Sequence, residues 1–173
     1  MGIWVFGCLG TCPAASTFDE QRAAISHSVA TQPEAAIMSL LEAGLDEGKA
    51  VLAVSDAQKW LRQNQPKDAM LLYHAGRAAE LSGDLKAAVS LYRQYLKKAD
   101  LKSKTADEAV FAVYTLLLER LNDTAGAYAF SKNEGDRLLG CPRARQFDKW
   151  FLDEAVKHPR YDDLAMANRL RAC

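Results

Sequence analysis

The residue types that carry chemistry are all present in this 173-residue chain, but their spacing assembles no recognisable reaction centre. His27, His74 and His158 stand alone, and none belongs to a His-Glu-x-x-His pair that would put two imidazoles on one helix face. Cys8 and Cys12 are four apart, with Cys141 and Cys173 distant, so neither a Cys-x-x-Cys redox pair nor a zinc ribbon is formed. A Cys141–Cys173 disulfide would need the last helix to fold back beside the 139–142 loop. The neighbouring carboxylates Asp153-Glu154 and Asp162-Asp163 would point about 100° apart on a helix, which makes no general acid–base dyad. Gly44 to Gly48-Lys49-Ala50 imitates a phosphate-binding loop, yet it is one residue short and has Ala50 where a hydroxyl must meet Mg²⁺. It also follows a helical pattern, so it reads as a helix–helix turn. No nucleophile motif of the Gly-x-Ser-x-Gly or Ser-x-x-Lys kind occurs. The expectation is a protein that is not an enzyme and needs no metal or cofactor. A weaker alternative is an all-α catalytic domain using Cys or carboxylates, which a solvent-reactive thiol of low pKa would support.

Charge points away from polyanions. Lys+Arg total 22 and Asp+Glu total 22, a balance of 22 − 22 = 0, whereas nucleic-acid and membrane-surface binders carry a basic excess. Lys97, Lys98, Lys102 and Lys104 form the basic cluster, read as a solvated loop or, more sharply, as a contact for an acidic partner tail. With 49% apolar and 25% charged residues the chain has the composition of a folded domain.

Residues 1–16 stand apart, because the first charge is Asp19. A short apolar run followed by small residues around Pro13-Ala14-Ala15 reads as a signal-peptide or lipoprotein-signal remnant without its basic start. That reading places the protein in the periplasm or outside the cell; read as a frayed tail, the same residues leave it cytoplasmic. A spanning helix needs about 20 apolar residues, and this stretch is shorter and broken by Gly7, Gly10 and Pro13.

From residue 17 onward the pattern is helix after helix, over 18–30, 33–46, 49–64, 67–81, 84–99, 105–121, 123–139, 143–157 and 161–171. Thr17-x-x-Glu20, Thr31-x-x-Glu34 and Thr105-x-x-Glu108 each match a capping box. Pro33, Pro66 and Pro142 precede helical patterns, and Gly83, Gly140 and His158-Pro159 stop them. No segment alternates apolar and polar residues between hairpin turns, so the fold class is all-α, with short connections that make successive helices antiparallel hairpins. One such pair cannot bury its stripe alone, so the pairs must stack.

The most specific signal spans residues 69–102. Leu72, Ala75, Gly76 and Ala79 line one helix, Gly83-Asp84 makes the turn, and Ala88, Tyr92, Tyr95 and Leu96 line the next. Small residues stand where the helices would cross and Tyr92 where they would splay. This segment resembles a tetratricopeptide (TPR) repeat, through Ala75-Gly76, Gly83-Asp84, Ala88 and Tyr92. It departs from the family at Asp100, where a proline is usual, and at Leu72, where a large aromatic is usual. Weaker units fall at about 35–68 and 108–141, followed by a terminal pair at 143–171, so 17–173 reads as one repeat domain. The resemblance implies a short right-handed α-solenoid.

It also implies a concave groove built by the first helix of each pair. The residues that map there are Met70, Tyr73, Arg77 and Glu80, with Leu116 and Glu119 beside Ala109 and Ala112 in the next unit, and Ala36, Ser39, Ala43 and Asp46 in the preceding one. Tyr73 beside Arg77 is suited to anchoring an extended peptide by stacking and a charge-assisted hydrogen bond. The same stripe could instead pack against a neighbouring helix. The expected function is a non-catalytic scaffold that binds a protein or peptide, without nucleic acid, and touches a membrane only through residues 1–16. The alternative is the helical front end of a larger enzyme.

Overall fold

The computed structural model describes residues 17–25, 28–155 and 163–172. The 1–16 signal reading, His27, His158, Cys8, Cys12, Cys173 and Asp162 lie outside the described residues. Among those described there are nine α-helices and no strand: α1 (Phe18–Ile25), α2 (Glu34–Asp46), α3 (Ala50–Leu61), α4 (Ala69–Ser82), α5 (Leu85–Lys98), α6 (Lys104–Thr115), α7 (Thr124–Glu134), α8 (Pro142–Ala155) and α9 (Leu164–Arg171). The all-α expectation holds.

The helix ends show which local signals prevail. At α1 the capping box forms in both directions, Glu20 N donating to Thr17 Oγ1 (3.3 Å) and Thr17 N to Glu20 Oε2 (3.0 Å). The other two boxes do not form. Thr31 lies in a 3₁₀ turn (Val29–Thr31) and its hydroxyl donates to Ser28 O, while Pro33 takes the cap position of α2. Glu34 is thereby released to accept from Lys67 N (3.0 Å) and Asp68 N (2.8 Å) at the start of α4. At α6 the cap is Ser103, which accepts from Ala106 N, so Thr105 falls inside the helix.

Two turns follow one recipe. Gly48 (φ 72°) and Gly83 (φ 85°) occupy the left-handed position after α2 and α4. The next amides, Lys49 N and Asp84 N, reach back to Gly44 O (2.7 Å) and Ala79 O (2.9 Å). The loop that imitates a phosphate cradle is thus a helix–helix turn whose amides are already used. The expected helix 105–121 rewinds at its end into a π-helical turn, Leu116–Arg120, with Leu121 N bonded to Leu116 O at 2.8 Å. The expected helix 123–139 stops at Glu134, and the space left by the missing side chain of Gly135 holds the guanidinium of Arg169.

α4 sits at the centre, packed against α2, α3 and α5; beyond it α5 meets α6, α6 meets α8, and α7, α8 and α9 close on one another. Leu72, Ala75, Ala79, Ala88, Tyr92, Tyr95 and Leu96 are all buried, as their spacing predicts. A Cβ on Gly76 would stand 2.9 Å from the Tyr92 ring, so Tyr92 sits at the crossing and not where the helices splay, and glycine is what lets α4 and α5 approach there.

The C-terminal helices are joined by a buried ion pair that no local pattern announces. Arg169 Nε and Nη2 donate to Asp148 Oδ2 (2.8 Å) and Oδ1 (3.1 Å), and Nη2 also donates to Ser131 O (3.0 Å). Ser131 Oγ donates to Asp148 as well, so α7, α8 and α9 share one polar knot, in which both charged side chains are under 5% exposed. Removing one partner from such a pair strands the other charge. Arg169→Met is therefore expected to cost about 3–5 kcal/mol in urea denaturation, and Asp148→Leu/Arg169→Met to restore much of it. The Gly76→Ala variant should lose about 1–3 kcal/mol in the same assay by forcing the Tyr92 ring aside.

Candidate functional site

The α4 stripe divides between scaffold and surface. Tyr73 is buried: its hydroxyl donates to Glu108 Oε2 of α6 (3.0 Å), and its ring meets His74, Tyr92 and Tyr95 at centroid distances of 5.3–5.9 Å. Burial, reinforced by the Glu108 bond, pushes its phenol up to about 12, so it stays a neutral donor. Glu80 is half-buried and accepts from Tyr92 O–H at 2.9 Å. Met70 is half-buried, and Arg77 is exposed with no ion pair of its own among the described residues.

The flanking units divide in the same way. On α6 Ala109 is buried and Ala112 half-buried; Leu116 opens the π turn and is buried, while Glu119 is exposed. On α2, Ala36 and Ala43 are half-buried, and Ser39 and Asp46 are exposed. Tyr73 and Leu116 thus lie within the packing, where adjoining elements cover them. Met70, Arg77, Glu80 and Glu119 keep surface that a partner could reach.

Four residues outside the expected stripe lie on α6 and α8. Phe111 and Trp150 are exposed at 40% and 39%. The Arg143 guanidinium lies 4.5 Å from the Phe111 ring centroid, and Phe147 stacks on Tyr114 at 4.0 Å while approaching Phe111 at 6.3 Å. Val110, Val113 and Tyr114 form the buried stripe of α6, with Phe111 on its flank. A hollow of about 420 Å³, lined by Glu34, Ala35, Met38, Ser39, Lys67 and Asp68, opens between the starts of α2 and α4.

The remaining chemical candidates are used structurally. Cys141 is a buried free thiol whose Sγ lies 3.1 Å from Leu101 O, and burial pushes it up to about 11, which disfavours the thiolate. No group of three His, Cys, Asp or Glu side chains converges as metal ligands do among the described residues. No helix among them is long and apolar enough to cross a membrane. The Lys97, Lys98, Lys102 and Lys104 cluster disperses: Lys98 Nζ donates to Pro66 O (2.7 Å), Lys104 pairs with Glu108 (3.5 Å), and Lys97 belongs to α5. No family model, curated protein or solved structure matches this chain.

His74, beside Tyr73, is the titratable group of this face. Its Nδ1 is buried without a hydrogen-bond partner, and Nε2 lies 3.7 Å from Glu42 Oε1. Burial lowers its pKa, and Arg77 lowers it further, against the opposing pull of Glu42, Asp68 and Asp46. The folded state therefore binds this proton less readily than the unfolded chain. Its contribution to stability is full above the unfolded pKa of about 6.5 and is lost as pH falls toward the lower folded value. Thermal melts from pH 7.5 to 5.5 should show Tm falling, about twofold less steeply in His74→Gln than in the parent. Equal slopes would remove His74 as the cause.

Proposed function

We propose that this chain is a TPR-like helical repeat that binds another protein as an extended segment across its first helices, α2, α4, α6 and α8, and performs no chemistry itself. Three features support the solenoid arrangement. α4 packs on both helices of the pair before it, α8 packs on α6 and α7, and the Gly76–Tyr92 crossing sits between small residues of α4 and Ala88 of α5. An envelope or secreted setting belongs to the same proposal and rests on the composition of residues 1–16.

The observation that carries the binding reading is Arg77. It stands exposed one turn from a tyrosine immobilised by Glu108 of α6, and α6 and α8 expose the aromatic side chains Phe111 and Trp150. A guanidinium held on a rigid helix can take a carboxylate or main-chain carbonyl of a peptide, and the aromatic ledge can take an apolar side chain.

Selection of random displayed peptides on the immobilised chain, followed by anisotropy titration of the enriched sequences, tests the proposal. Arg77→Glu and Phe111→Ser should each weaken binding by about tenfold with an unchanged circular-dichroism melt. Failure to enrich any sequence, or equal binding by parent and both variants, would remove this face as the partner site.

A further inference from the structure

A second surface lies on the other helix of the central pair. The segment Leu85–Lys98 that forms α5 contains four cations and no carboxylate. The balanced charge of the whole chain conceals this. Lys98 is held by Pro66 O, but Lys86, Arg93 and Lys97 follow at i, i+7 and i+11, which is one stripe of a helix. Lys86 and Lys97 are exposed with no ion pair among the described residues. Arg93 is steadied from one side, 5.5 Å from the Phe130 ring centroid and 4.0 Å from Glu134.

Two adjoining hollows run along this stripe, of about 360 and 480 Å³, and share Lys86, Val89 and Arg93. The larger has an apolar floor of Val89, Leu117 and Leu121, with Asp123 and Gly126 in its far wall. Its shape follows from the π turn, which packs on α5 and contributes Leu117. A cationic rim over an aliphatic floor selects for both charge and hydrophobicity.

We infer that the α5 groove docks an acidic segment of another protein, with apolar side chains seated on Val89, Leu117 and Leu121 and carboxylates facing Lys86, Arg93 and Lys97. The complementary charge sets the occupant. Residues 1–16 of the same chain contain no carboxylate and do not supply it. A nucleic acid fits less well, because the floor is aliphatic and offers no aromatic face on which a base could stack. The surface is separate from the first-helix face and stands or falls without it.

The test is an anisotropy titration of the full chain with labelled synthetic peptides. One alternates glutamate pairs with leucine, and the other has serine at each leucine; single-stranded oligothymidylate and phosphatidylserine vesicles are the competitors. The leucine peptide should bind saturably and weaken as salt rises. Its affinity should fall by about tenfold in Lys86→Glu/Lys97→Glu and by a similar factor on changing leucine to serine, yet stay unchanged in Arg77→Glu. Lys86→Gln/Lys97→Gln should lie between parent and reversal, and circular dichroism verifies the fold of each variant. Absence of saturable binding, indifference to the reversal, or preference for the oligonucleotide or the vesicles would overturn the proposal.

Discussion

The ring of Tyr92 fills the place where Gly76 has no side chain, and much else in the molecule is set by that contact. It fixes how closely α4 and α5 cross. α4 then determines the neighbours on one side, since it touches both α2 and α3, and α5 determines them on the other through α6. The same crossing orients the Tyr92 hydroxyl toward Glu80 and presses the Tyr73 ring against Tyr92 and Tyr95. Close packing leaves few ways to accommodate a change there, because an added methyl must displace an aromatic ring that is itself enclosed.

Carboxylates expected at helix starts serve instead between helices. Glu34 and Glu108 occupy the fourth position of an apparent capping box, yet one receives the amides of Lys67 and Asp68 just ahead of α4 and the other the hydroxyl of Tyr73. The local alternative is a single bond to an amide that water or a serine can also satisfy. The distant one ties two helices together, and for the part-buried Tyr73 hydroxyl it supplies a partner whose loss would be the larger cost. Asp148 and Arg169 extend this to full charges: three C-terminal helices are held in register by a pair that has almost no access to water.

The two faces of the central pair differ in what they expose. Around His74 lie the carboxylates Glu42, Asp46 and Asp68 with Arg77 as the opposing cation, whereas α5 presents Lys86, Arg93 and Lys97 beside an aliphatic hollow. A chain of zero net charge can therefore hold surfaces of distinct electrostatic character, because fields near a surface are set within about a Debye length and not by the molecular total.

Sequence periodicity by itself determined the class of the fold, the approximate spans of the central helices α2 to α5 and the residues of the α4–α5 core, because 3.6-residue spacing and left-handed glycines act locally. The turn at Gly48-Lys49 was legible for the same reason, as was the α4–α5 turn at Gly83-Asp84. Tertiary structure alone decided that Tyr73 and Leu116 are covered while Arg77, Phe111 and Trp150 are not, since exposure depends on which helix arrives alongside. It also decided that Lys97 joins Lys86 and Arg93 rather than Lys98, Lys102 and Lys104, and that Asp148 meets Arg169 across 21 residues. Those groupings are distances through space between separate elements, and no local rule of spacing along the chain encodes them.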